Sequence, residues 1–221
     1  MHATVLVLGE DVEALMDPYS EHDPDAVEPQ WDSWVIQGRG PGYLLARPDD
    51  VQGERSARRE ALRGAAAAMG RHQLRRGVLD LEGMRAHAQE VAESVWPTVA
   101  RVLKAHGAPK TLRQMKQGVG AGDAWRAWRR QPGMDELLPV ADLIGGLSEE
   151  LPLARDEFVA RARLNALPAY AFLSAATGWV RSLTYDEQWN PTPVPGYAER
   201  VNQMVEQAPA DTLVTLVDYH C

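Results

Sequence analysis

Cysteine is almost missing from this chain: there is one in 221 residues, Cys221 at the very end. An internal disulfide and a thiolate metal site are excluded, which suits a reducing cytosol. No run approaches the roughly 18 apolar residues that a membrane span requires. The first residues, MHATVLVLGEDVEALM, lack a basic stretch and a small-residue cleavage site, so they read as a strand and not as a signal peptide. A positive balance is missing too. With 31 acidic and 23 basic side chains the net charge is −8, which opposes non-specific binding to a nucleic-acid backbone and leaves room for a small anionic ligand in a locally basic pocket. Several catalytic signatures are absent as well. There is no P-loop lysine and hydroxyl after the glycines at 38–42, no glycine-rich dinucleotide turn after the first strand, no nucleophile elbow and no helix with paired zinc-binding histidines.

What is present divides into three textures. Residues 3–8, ATVLVL, are short, apolar and β-branched, a strand pattern. Val12, Leu15 and Met16 follow at helical spacing behind early carboxylates that suit a helix amino end. After a loop punctuated by Pro18, Pro24 and Pro29, the alternation around Trp34 and Ile36 predicts a second strand, which ends in the turn GRGPG. From about 54 to 165 alanine, arginine, glutamate and leucine dominate, and GERSARREALRGAAAAMGRHQLRR reads as helix. A stronger helix follows, with Asp80 as amino cap, Gly107 as stop and Pro97 as a kink or break. Residues 169–175 and 179–183 predict two strands joined at Thr177-Gly178. The helix YAERVNQMVEQA and a final strand from Leu213 to about Tyr219 complete the chain. The expected fold class is α+β: a ferredoxin-like, mostly antiparallel sheet in βαββαβ order, with a large helical insertion after the second strand. Residues 1–53 and 166–221 would form the sheet core and 54–165 the insertion, the terminal strands lying side by side in the centre. Two separate domains, one helical and one α+β, are the alternative.

The stretch WDSWVIQGRGPGYL resembles a signature of small proteins from actinobacterial phages: tryptophan-aspartate-x-tryptophan or tyrosine, two further residues, then glycine-glycine-arginine-tryptophan. That family commonly ends in a valine-rich strand followed by aspartate-cysteine-histidine, and this chain ends TLVTLVDYHC. LDLEGMRAHA, LLPVADLI and ATGWVRSLTYDEQW are similar to further parts of it. Gln37, Gly40 and Tyr219 depart from the pattern, standing where the family has glycine, tryptophan and cysteine. The resemblance implies a phage-like origin, and so the cytosol of a bacterial host. It implies no reaction.

Two constellations are candidates for function. Gly38, Gly40 and Gly42 allow close backbone approach, and Arg39 adds a fork of donors for phosphate or carboxylate. Trp31, Trp34 and Tyr43 offer flat faces, as does Trp179, while Asp32 stands beside them in sequence. The structural reading of the same residues is a strand end closing with a bulge, where Trp34 fills a core and Arg39 pairs with Asp32 or Asp218. Asp218 and His220 are two apart on a strand and so share a face. A carboxylate beside an imidazole suits a general base oriented by Asp218, or two ligands of a metal with a third from Asp32, His2 or Glu10. A chain-terminal histidine held by a salt bridge is the structural reading of the pair and the one preferred on spacing, and neither metal nor cofactor is expected. Trp125 and Trp128 on a short basic helix, and the arginines between 55 and 76, read as stacking or anion-binding surfaces or as core filling and a solvated face.

These observations lead to three functional expectations. The first is a phage accessory protein that sequesters a small anionic, nucleotide-like ligand to counter host defence signalling. Arg39, Gly38, Gly40, Trp34, Asp32, Tyr43, Trp179 and His220 would line its site. The second is a phosphodiesterase-type hydrolase using His220, Asp218 and Arg39. The third is an inhibitor of a host enzyme acting through the helical insertion. The expected partner is the small ligand, without polymeric nucleic acid or membrane, and homo-oligomerisation stays open.

Overall fold

A computed structural model describes residues 2–26, 28–36, 43–47, 72–116, 121–144, 151, 154–185 and 191–221. In chain order the elements are β1 (His2–Leu8), α1 (Val12–Met16), β2 (Ser33–Val35), β3 (Gln73–Arg75), α2 (Leu81–His106), α3 (Leu112–Met115) and α4 (Ala121–Arg129). They continue with α5 (Met134–Ala141), α6 (Arg155–Leu164), β4 (Ala171–Ser174), β5 (Gly178–Arg181), β6 (Leu183–Tyr185), β7 (Pro191–Pro193), α7 (Tyr197–Gln207) and β8 (Leu213–His220). The class is α+β. No described helix is long and apolar enough to cross a membrane.

The chain forms two compact units. One comprises Met1–Gly83, Leu167–Arg181 and Glu199–Cys221; the other comprises Met84–Ala166 and Ser182–Ala198. The first contains a sheet of order β2-β8-β1-β4-β5, with β3 also paired to β8. β1 and β8 run antiparallel through its centre, from His2 opposite His220 to Leu8 opposite Val214. Their composition explains the placement. Val5, Leu6 and Val7 are buried, as are Val214, Thr215, Leu216 and Val217, so both strands are apolar on both faces, as interior strands must be.

The sheet is mixed, because β1 and β4 are parallel. This corrects the expectation of a mostly antiparallel, ferredoxin-like order. Parallel neighbours need a long crossover, and here the whole segment between residues 8 and 171 separates the two strands. β2 joins the outer side of β8 and not the β4/β5 pair. A second correction concerns β3, which lies in a stretch read as helix. Leu74 is buried between exposed Gln73 and Arg75, the alternation of a strand. The rest of that arginine-rich stretch, residues 54–71, falls outside the described residues, as do Gln37, Gly38, Arg39, Gly40 and Gly42.

Local chemistry fixes the other elements of this unit. The Asp11 side chain accepts from the Ala14 amide and caps α1, which buries Val12 and Met16. The β4/β5 hairpin closes as expected: the Ser174 hydroxyl accepts from the Thr177 amide, and Gly178 takes φ +64°. Glycine is required there twice over, since a Cβ would also lie 2.8 Å from the Tyr19 hydroxyl.

The second unit is helical with one small hairpin, β6/β7. Asp80 accepts from the Gly83 amide at the start of α2, and Gly107 at φ +76° follows its end. Pro97 does not divide the helix, which is continuous over Leu81–His106. Its missing N–H costs one backbone bond, and burial of Ala92, Val99 and Val102 in the core shared with Leu137 and Phe158 keeps the segment helical across it.

Leu6 is fully buried at the centre of the sheet. Leu6→Ala is therefore expected to cost about 2–5 kcal/mol, and Val35→Ala, at an exposed position, less than about 0.5 kcal/mol. Urea unfolding midpoints of the two variants test the contrast.

Candidate active site

Strand register brings two histidines together. His2 on β1 and Ser33 on β2 both lie opposite His220 on β8, so the three side chains share one sheet face with Thr4 and Asp218. The imidazole centroids of His2 and His220 are 4.9 Å apart, with an interplanar angle of 61°.

Each imidazole lies beside a carboxylate, and His220 is hydrogen-bonded to its own. His220 Nδ1 lies 2.8 and 2.9 Å from the two Asp32 oxygens. Asp32 is itself fixed: its amide donates to the His220 carbonyl, the Ser33 hydroxyl donates to its carboxylate, and His22 Nε2 meets its carbonyl at 3.0 Å. The hydrogen bond from His220, with that from Ser33, holds the Asp32 carboxyl below the ordinary carboxylate range. His2 Nδ1 lies 3.4 Å from Asp218 Oδ1, a carboxylate only 3% exposed. The two histidines and Asp32 are partly open to solvent.

Sequence spacing pairs Asp218 with His220, whereas the structure gives Asp32 that role and turns Asp218 to His2. The reason is geometric. Residues two apart on one strand are separated by about 6.5–7 Å along it, too far for a direct hydrogen bond between short side chains, while Asp32 arrives from the neighbouring strand. Of the other residues considered beside this pair, His2 is present, but Glu10 is at the opposite end of the strands, bonded to the Leu213 amide and paired with Arg75. Among the described residues no group of three or more histidine, cysteine or acidic side chains is arranged to hold a metal ion.

The aromatic candidates lie elsewhere. Trp34 is opposite Tyr219, so its ring shares the other sheet face with Trp179 and Tyr219. Trp179 meets Tyr219 at 5.2 Å and Tyr19 at 5.3 Å, and Trp34 meets Trp31 edge-on at 6.2 Å. Trp31 is buried and donates its indole N–H to the Met16 carbonyl, a structural bond. Trp34 and Trp179 are thus together, but the sheet separates them from His220 and Asp32. Tyr43 is half-buried outside any strand.

No family model, curated protein or solved structure matches this chain. The geometry alone therefore carries the chemistry. An imidazole whose Nδ1 is held by a carboxylate has a fixed tautomer and presents Nε2 as a proton acceptor, and the carboxylate stabilises the imidazolium that results. Neither His2 Nε2 nor His220 Nε2 has a hydrogen-bond partner among the described residues.

Contacts missed in the sequence include Tyr19, whose hydroxyl accepts from the Trp179 amide, and Gln30, whose side-chain oxygen accepts from the Arg181 guanidinium. Both link positions more than 150 residues apart, and no local pattern marks them.

Because the folded-state Asp32 pKa is depressed, the stabilisation it gives is complete above the unfolded value, about 3.9, and disappears as pH falls through the lower folded value. Asp32→Asn should therefore lower the thermal midpoint at neutral pH, with the gap to the wild type closing in acid. A gap that is constant down to about pH 2 contradicts the assignment.

Proposed function

We propose that this protein is an acid–base hydrolase acting on a small phosphate-bearing, nucleotide-like molecule at the paired histidines. The observation that carries the reading is the Asp32–His220 hydrogen bond beside a second imidazole, His2, that lies next to the Asp218 carboxylate. His220 Nε2 takes the proton from an attacking hydroxyl or water as the new P–O bond forms. His2, in its protonated form, gives its proton to the departing oxygen as the old P–O bond breaks. The two histidines end with their protonation states exchanged, and exchange with solvent restores them. Two aspartates beside a phosphate site would repel the ligand if bare. Here each faces an imidazole Nδ1, and the proton that His2 carries in this step offsets part of their charge. In this reading Arg39 and its flanking glycines supply further phosphate contacts.

Capture without turnover is the second reading. It is favoured by the aromatic cluster on the opposite face, where Trp179 Nε1 is buried with no hydrogen-bond partner among the described residues. A buried donor of that kind is costly unless an acceptor reaches it. The resemblance of WDSWVIQGRGPGYL and TLVTLVDYHC to phage proteins supports an accessory role in either case, with a host defence signal removed or sequestered.

The test is incubation of the purified protein with bis(4-nitrophenyl) phosphate, cyclic nucleotides and ADP-ribose derivatives. Turnover is expected to follow a bell-shaped pH profile and to fall by about 100-fold or more in His220→Ala and in His2→Ala. Asp32→Asn should reduce it less than either histidine substitution. Nucleotide recovered intact from the protein, with no turnover, would decide for capture.

A further inference from the structure

The net charge of −8 hides a strong local excess of the opposite sign. Residues 101–131 contain eight lysines and arginines and one acid, Asp123. Within this stretch α4 presents an unusual surface. Trp128 is buried in the helical core at 6% exposure, and Trp125, one turn earlier, is 46% exposed. Their rings are nearly parallel, 22° apart with centroids separated by 5.0 Å. The inner ring is buried in the core, and the outer ring stacks on it while remaining 46% exposed.

Cations stand on the same helix and on the segment tied to its end. Arg129 lies one turn beyond Trp125 on the same side of the helix, as the i, i+4 spacing dictates, and Arg126 is adjacent, bonded to Asp123. Arg113 on α3 and Lys110 before it are exposed on the preceding segment, which Gln131 ties to the end of α4 through both the amide and the carbonyl of Lys110. The side chains of Arg129, Arg113 and Lys110 have no partner among the described residues.

We propose that this face of α4 binds single-stranded nucleic acid, one base extending the Trp128–Trp125 stack and the flanking guanidinium groups holding the adjoining phosphates. The parallel rings favour this occupant over an acidic protein segment. A carboxylate needs only the cations, while a part-exposed aromatic ring stacked on a second fits a third flat ring, and stacking of bases on aromatic side chains accepts any base. The inference is independent of the histidine site. It revises the sequence expectation that polymeric nucleic acid is excluded, because the average charge says nothing about a patch of this size when the Debye length is about 10 Å.

Fluorescence anisotropy of a labelled oligothymidylate about twenty nucleotides long, titrated with the full chain at about 50 mM salt, tests the proposal. Binding is expected, with affinity about ten-fold weaker in Trp125→Ala and largely retained in Trp125→Phe. Arg129→Gln should weaken binding and reduce the slope of log affinity against log salt by about 0.7. An abasic oligonucleotide of the same length should bind about as weakly as Trp125→Ala binds thymidylate. Absence of binding, equal affinity for the abasic strand, or equal competition by polyglutamate would overturn the proposal, the last in favour of an acidic protein partner.

Discussion

The pairing of β1 with β8 is the constraint on which the candidate site rests. His2 is opposite His220 only in this register. A slip of one residue would carry every side chain of one strand to the other face. Such a slip is heavily penalised, because both strands are buried on both sides, with Leu6 opposite Leu216 and Val5 opposite Val217. The core thereby sets the chemistry: the same alternation that buries Leu216 places Asp218 and His220 beside it in sequence on one face, and sends Val217 and Tyr219 to the other.

That alternation also explains why two sets of plausible ligand-binding residues are kept apart. Trp34 and Trp179 are joined to Tyr219 and Tyr19 in an aromatic layer with α1. The imidazoles and their carboxylates belong to the opposite layer, where Val35 on β2 is exposed. A polar, partly solvated edge suits proton exchange, whereas a layer of interlocked rings suits shape and hydrogen-bond recognition.

Much of the fold was legible where the signal is local. ATVLVL and TLVTLVDYH announce strands by β-branching, Asp80 and Gly107 bound α2 by capping chemistry, and Gly178 marks its turn through positive φ. β3 was not legible, because a single buried leucine between polar residues in an alanine- and arginine-rich tract carries too little pattern to compete with helix propensity. The histidine cluster was half visible. His220, Asp218, Asp32 and His2 could all be named, but which carboxylate serves which ring depends on strand order, and strand order is a property of contacts 188 residues apart. The same gap in knowledge of register placed Trp34 and His220 in one imagined pocket, although a period of two along β8 separates their layers once Trp34 is set opposite Tyr219.

A central strand whose antiparallel partner arrives so late has a further consequence for biogenesis. On a ribosome β1 emerges early, yet the β8 backbone groups that complete it appear only after both helical and hairpin segments have been made. Until then one of its hydrogen-bonding edges is open and its valines and leucines lack half their cover, a template for pairing with neighbouring nascent chains. The long sequence separation also makes closure entropically slow. Cover of β1 until β8 has been made would suit this topology.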